Sequence, residues 1–161
     1  MRPIYRLSVV RERTGDYEAR QTMRTSAEVE ALLCPYFAPL DRETFVVVPL
    51  DGKNKPLGFH VVSVGTLTAS LVHPREVFKI ALLENAAAIV LAHNHPSGDP
   101  TPSTEDITIT SRLVQAGELL GVRILDHVIV GEGRRYYSFV DHDALPSNER
   151  GWVWTGNSVW S

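Results

Sequence analysis

The sequence holds a single cysteine, Cys34. No disulfide can form within the chain, so stability has to come from a packed core, and a reducing compartment is compatible. No segment approaches the roughly 18 consecutive apolar residues that a bilayer span needs. The opening stretch MRPIYRLSVVRERTG lacks the continuous apolar centre of a secretory signal. The cytoplasm is the expected address, with no membrane partner. An excess of one charge sign is missing too: 16 Lys and Arg stand against 19 Asp and Glu, for a net charge of −3. That is not the basic balance of a domain that holds nucleic acid electrostatically, which leaves DNA only a local patch. Several chemistries lack their motifs. There is no H-E-x-x-H, no G-x-S-x-G elbow and no glycine-rich phosphate loop. One cysteine cannot supply the P-C-x-x-C of a zinc deaminase.

What is present suits one soluble domain with a real core: 161 residues, 43% hydrophobic and 22% charged. Residues 3–10 read as a strand, and 17–24 as its hairpin return after Thr14-Gly15-Asp16. Thr25 and Glu28 fit a capping box, opening a helix that carries Val29, Leu32 and Leu33 on one side and stops near Pro35. Cys34, at the end of this apolar pattern, reads as a buried small hydrophobe. The run 43–50, ETFVVVPL, predicts a buried strand, and 57–65 the next one after a turn over 51–56. Pro74 suits the first helical position of PREVFKIALLEN. AAAIVLA then predicts a central strand running straight into His93. A helix follows Ser103 and ends at Leu120-Gly121, although Ile107–Thr110 alternates like a strand. Strands over 122–130 and 136–140 flank the turn 131–135. The order predicts an α/β domain with a mixed sheet and helices on both faces.

The chemistry gathers in 91-LAHNHPSGDPTPSTED-106. His93 and His95 lie two apart at a strand end, so both imidazoles share a face. The prolines and Gly98 force a turn, and the chain returns with Asp106. Two imidazoles and a carboxylate form a zinc set with a fourth position left for water, whose pKa the metal would lower to about 7. The bland alternative is a capping box, with Ser103 as N-cap and Asp106 three residues on. A cap can also present its hydroxyl, so the two readings are compatible.

His93-x-His95-x7-Ser103-x-x-Asp106 resembles the JAMM motif of the JAB/MPN metallopeptidase superfamily. The wording of residues 72–106, with Gly65-Thr66-Leu67 before it and LDHVIVG after it, is similar to the RadC-type proteins of that superfamily. The similarity runs over roughly residues 40–140. It implies a three-layer α/β/α sandwich related to the cytidine-deaminase-like architecture. It also implies a zinc ion held by His93, His95 and Asp106, and hydrolysis of a peptide or isopeptide bond in a peptide or protein substrate. The pattern calls for an upstream glutamate, and Glu43 is the matching position. The resemblance makes it the general base that activates water and passes the proton to the leaving amine. Glu76, beside Arg75, is the rival, but its helix geometry turns it to solvent. Ser103 would support the oxyanion. His127 reads as a structural histidine in a strand, and His60, His73 and His142 are likewise given no catalytic role.

Two other readings compete. The family name implies an accessory role in DNA repair, and longer relatives carry a helix-hairpin-helix region ahead of the domain. Here residues 1–40 read instead as a hairpin and short helix leading into a domain over 41–142. The remaining segment, 143–161, contains Trp152, Trp154 and Trp160. A tail of this kind either folds back over an apolar face or anchors a second copy or another partner. In that last reading the domain keeps zinc for stability alone.

Overall fold

The computed structural model describes residues 8–10, 12, 22–65 and 72–146. Most of the expected N-terminal hairpin and all three tryptophans lie outside these residues. Those of 8–10 and 22–24 that are described form no strand, so the hairpin is not seen there.

Helix α1, Ser26–Phe37, starts on the expected capping box: Thr25 accepts from the Glu28 backbone N–H, and the Glu28 carboxylate accepts from that of Thr25. It does not stop at Pro35. Pro35 removes one backbone donor and sits inside the last turn. The helix continues because Phe37 is buried beside Leu33 and Val29, and the Ala38 N–H closes it on the Cys34 carbonyl at 2.8 Å. Cys34 itself is only half-buried, which corrects the reading of a core residue. Burial, with the adjacent Glu30, still pushes its thiol pKa up, which disfavours the reactive thiolate.

Five strands follow: β1 (Thr44–Leu50), β2 (His60–Val64), β3 (Ala88–Asn94), β4 (Arg123–Val130) and β5 (Tyr136–Ser138). They form one sheet in the order β2-β1-β3-β4-β5, with β3 in the middle. All pairs are antiparallel except β3 and β4. A parallel pair needs a long crossover, which α3 (Thr104–Leu120) provides. Every residue of β1 and β3 is buried, as their unbroken apolar runs require. Val46, Val48, Val90 and Ala92 face α1. Phe45, Val47, Ile89 and Leu91 face α2 (Pro74–Leu83) and α3, where they meet Phe78, Ile109 and Leu113. Full burial of each such side chain contributes roughly 1.5–3 kcal/mol. The result is a three-layer α/β/α sandwich.

Ile107–Thr110 is helical, and Ile109 and Thr110 are the buried pair of that segment. Gly121, with φ at +69°, ends α3. His73 caps α2, its Nδ1 accepting from the Arg75 N–H at 3.2 Å. His142 lies outside any strand, in the turn after β5. His60 begins β2 as expected.

One irregularity in β4 decides what reaches the site. The β3–β4 register runs Ile89 to Ile124, then Val90 to Asp126, so β4 carries one extra residue there. Such a bulge reverses the alternation beyond it. Without it His127 would pair with Ala92 and face α1. With it His127 pairs with Leu91 and turns toward α3.

Candidate metal centre

The site lies where β3 leaves the sheet against the start of α3. His93, fully buried, occupies the end of β3 opposite Phe45, whose ring stacks on it at 5.9 Å. His95 lies just past the strand, its backbone N–H donating to the Val130 carbonyl at 2.9 Å. Gly98, at φ +84°, turns the loop back. The Gly98 carbonyl accepts from the Glu132 N–H at 3.0 Å and from Arg135 Nη2 at 3.0 Å, which ties the loop to the β4–β5 turn. The loop then enters α3, whose first turn carries Asp106.

Three donor side chains converge. His93 Nε2 lies 3.0 Å from His95 Nε2 and 3.2 Å from Asp106 Oδ1, and His95 Nε2 lies 3.4 Å from Asp106 Oδ2. One ligand atom from each of the three lies within 4.8 Å of the other two, close enough for a single ion to touch all three. His93, His95 and Asp106 are the one cluster of this kind among the described residues.

The hydrogen bonds leave the right lone pairs. His95 Nδ1 lies 2.8 Å from the Asp99 carbonyl, which can only accept, so a neutral His95 presents Nε2 unprotonated. Asp106 Oδ2 accepts from the Ser103 backbone N–H and from the Ser103 hydroxyl, both at 2.7 Å. The capping box is therefore real and is also the device that orients the carboxylate. The Ser103 hydroxyl proton points to Asp106 rather than to the place where a substrate oxyanion would form.

Burial raises the Asp106 pKa, but the imidazoles of His93 and His95 and the Ser103 N–H outweigh it and hold the carboxyl well below its usual range. Burial pushes His93 down against the pull of Asp106 and Glu43. For His95, which is partly exposed, burial also lowers the pKa, but Asp106, the Asp99 carbonyl and Glu43 prevail and the value rises.

Glu43 directly precedes β1, and its carbonyl accepts from the Gly65 N–H at 2.8 Å. Phe45 pairs with His93, and two residues back along the same face stands Glu43. Its carboxylate is near enough to raise the pKa of both imidazoles. Glu43 and His95 are partly exposed and Ser103 is exposed, so the cluster opens to solvent on this side. Glu76 is elsewhere, on the surface of α2 and paired with Lys79.

Residues 23–144 match the family described as the RadC-like JAB domain. The chain belongs to that family. A UPF0758 protein of Moorella thermoacetica is 56% identical over 116 residues, covering 72% of this chain and 51% of the relative. Another, of Methanosarcina acetivorans, is 51% identical over 124 residues, covering 77% and 54%. A third, of Rubrobacter xylanophilus, is 51% identical over 140 residues, covering 87% and 59%. The chain thus spans about half the length of the curated relatives it matches. No helix among the described residues is long and apolar enough to cross a membrane.

Beside its site the RadC-like domain holds Thr110 and Asn94, which sequence reasoning passed over, and His127, which it read as a structural histidine and which lies in β4. His127 Nε2 lies 2.9 Å from His93 Nδ1, with its ring stacked on Phe139. Burial, with the neighbouring His93, pushes the His127 pKa well down. Thr110 Oγ1 contacts His127 Nδ1. Asn94 bonds the chain on either side of Glu43. The available signal was polarity in apolar context: Asn94 inside H-N-H at the end of AAAIVLA, and Asp126-His127 in the midst of β4.

Proposed function

We propose that the chain is a zinc-dependent hydrolase cutting a peptide or isopeptide bond in a peptide or protein substrate. The convergence of His93 Nε2, His95 Nε2 and the Asp106 carboxylate beside the Glu43 carboxylate carries this reading. Two imidazoles and one carboxylate are a donor set that suits zinc and leaves one position open. Zinc bound there would act as a Lewis acid and make a water acidic near neutral pH. Glu43, at the solvent side, takes the proton from the attacking water and delivers it to the leaving amine. Ser103 holds Asp106 at rest. Rotation about its Cα–Cβ bond redirects the same proton toward the carbonyl oxygen as charge develops there. Membership of the RadC-like JAB family supports the reading without supplying a substrate.

The test is metal content by mass spectrometry on tag-free protein, alongside His95→Ala and Asp106→Ala. One equivalent of zinc in the parent, lost from both variants while they remain folded, is the expected result. A parent that holds no zinc and takes none up when it is supplied overturns the proposal.

A further inference from the structure

The hydrogen bonds behind His93 form a chain whose direction can be worked out atom by atom. Thr110 Oγ1 lies 2.6 Å from the Asp106 carbonyl oxygen and 2.6 Å from His127 Nδ1. The hydroxyl has one proton, and a carbonyl oxygen only accepts. The proton must therefore point at Asp106; otherwise two oxygens would face each other at 2.6 Å with none between them. Thr110 Oγ1 then accepts from His127 Nδ1–H. The His127 ring is fully buried between Phe45 and Phe139 and its nitrogens meet only Thr110 and His93, with no carboxylate bonded to it, so it carries a single N–H and Nε2 is a bare acceptor. It takes the proton of His93 Nδ1, 2.9 Å away. His93 Nε2 is left unprotonated and faces His95 and Asp106, so with no ion between these groups the proton they share has to sit on His95 Nε2.

We propose that Thr110 and His127 are positioning residues that fix the ring orientation and tautomer of His93 through this relay, so that Nε2 is always ready to bind a metal ion. The proposal rests on the metal-site reading. The relay begins at the main chain of one ligand, Asp106, and ends on the ring of another, His93. Two local features assemble it. Helical spacing puts the Thr110 side chain one turn beyond the Asp106 carbonyl. The β4 bulge turns His127 to the His93 face. The relay is dry: Thr110, His127 and His93 are all fully buried, and Phe45 and Phe139 wall the two histidines. Water cannot substitute for a missing partner in such surroundings, so removing one leaves His93 free to place its proton on Nε2. Partners of this kind hold ligating histidines in many metal sites, and their loss typically costs about 10–100-fold in metal affinity.

The experiment has two arms. Long-range 1H–15N spectra of the zinc-free protein report which nitrogen of each ring is protonated. The relay requires Nδ1–H on both His93 and His127. Zinc competition against a chromophoric chelator then compares Thr110→Ser, which keeps the hydroxyl, with Thr110→Val, which keeps the shape and loses it. The expected result is near-parental affinity for Thr110→Ser. Thr110→Val should bind zinc about 10–100-fold more weakly, with a His93 signal that gains Nε2–H character. His127→Gln, which can still accept from His93, should exceed His127→Phe in affinity. An Nε2–H His93 in the parent, or parental zinc affinity in Thr110→Val, would overturn the relay. A parent with the required tautomers that takes up no zinc would leave the relay standing and sink the metal reading alone.

Discussion

The backbone N–H of Thr44 donates to Asn94 Oδ1 over 2.8 Å, and Asn94 Nδ2 donates to the Arg42 carbonyl at 3.1 Å. One amide side chain at the end of β3 thus grips the chain on both sides of Glu43. Asn94→Ala would leave a main-chain donor and acceptor without their partner, at about 1–3 kcal/mol. Asn94 lies between His93 and His95 in sequence, but alternation turns it to the other face. The expected outcome is a melting temperature lowered by several degrees with zinc affinity close to the parent's. Thermal unfolding and chelator competition on the same preparation check it. Zinc affinity falling in step with stability would show that Asn94 supports the ligands rather than Glu43.

Asp126 gives the fold a pH dependence of its own. Its carboxylate accepts from the Ser138 hydroxyl at 2.6 Å and from the N–H groups of His127 and Val140 at 2.7 and 3.1 Å. Burial outweighs these donors, and with Asp141 adding charge the carboxyl is pushed up to about 7. A carboxyl whose folded-state pKa is raised binds more protons in the folded chain than in the unfolded one. Its contribution favours folding fully below an unfolded value of about 3.9 and is lost as pH climbs to about 7, at up to about 1.4 kcal/mol per pH unit. Asp126→Asn, which stays neutral, removes that slope. Urea unfolding at several pH values between about 4 and 8 should show the variant gaining on the parent as pH rises. Two parallel stability profiles would contradict this.

The motif made the candidate site residues legible because it is local. His93, His95, Ser103 and Asp106 lie within one strand end, one turn and one helix start, and each carries a residue type that announces its position. β1 and β3 were equally plain as unbroken apolar runs. The shell behind His93 was not, because it depends on register. Whether His127 faces α1 or α3 turns on one extra residue in β4, and no periodicity in RILDHVIV marks where it sits. Thr110 was obscured by the strand-like alternation of Ile107–Thr110, which the capped helix overrides. Pro35 placed the end of α1 to within two residues. Proline disfavours a helix interior, but the burial of Phe37 beyond it keeps the last turn of α1 in place.

Two glycines allow the site's loop and the distant end of α3 to be compared. A Cβ on Gly131 would stand 2.5 Å from the Gly98 carbonyl oxygen and 2.9 Å from Pro100 Cδ. A Cβ on Gly117 would stand 2.5 Å from the Val122 carbonyl oxygen. Each alanine forces backbone apart and should cost roughly 1–3 kcal/mol. Their effects on metal should differ. Gly131→Ala pushes on the loop between His95 and Asp106, and so should weaken zinc binding as well as stability. Gly117 lies three turns along α3 from Asp106, about 16 Å away at 1.5 Å per residue, so Gly117→Ala should leave zinc affinity unchanged. Equal zinc affinities in the two variants would show that the β4–β5 turn does not set the loop's geometry.

Glu43→Gln separates binding from turnover. The substitution keeps the size of the side chain and removes its ability to take a proton. Its carboxylate raises the pKa of both His93 and His95, so charge as well as base is lost. In the zinc-free protein the His95 imidazole should then titrate at lower pH than in the parent, since one of its raising influences is gone. NMR titration of the ring protons checks that shift. Zinc content should hold at one equivalent, because Glu43 is not one of the three converging ligands. Hydrolysis of a peptide substrate that the parent cleaves should fall by about 10²–10⁴-fold, the usual worth of a positioned general base. A variant that loses zinc together with activity would make Glu43 a ligand, and one that keeps full turnover would pass the base to another group.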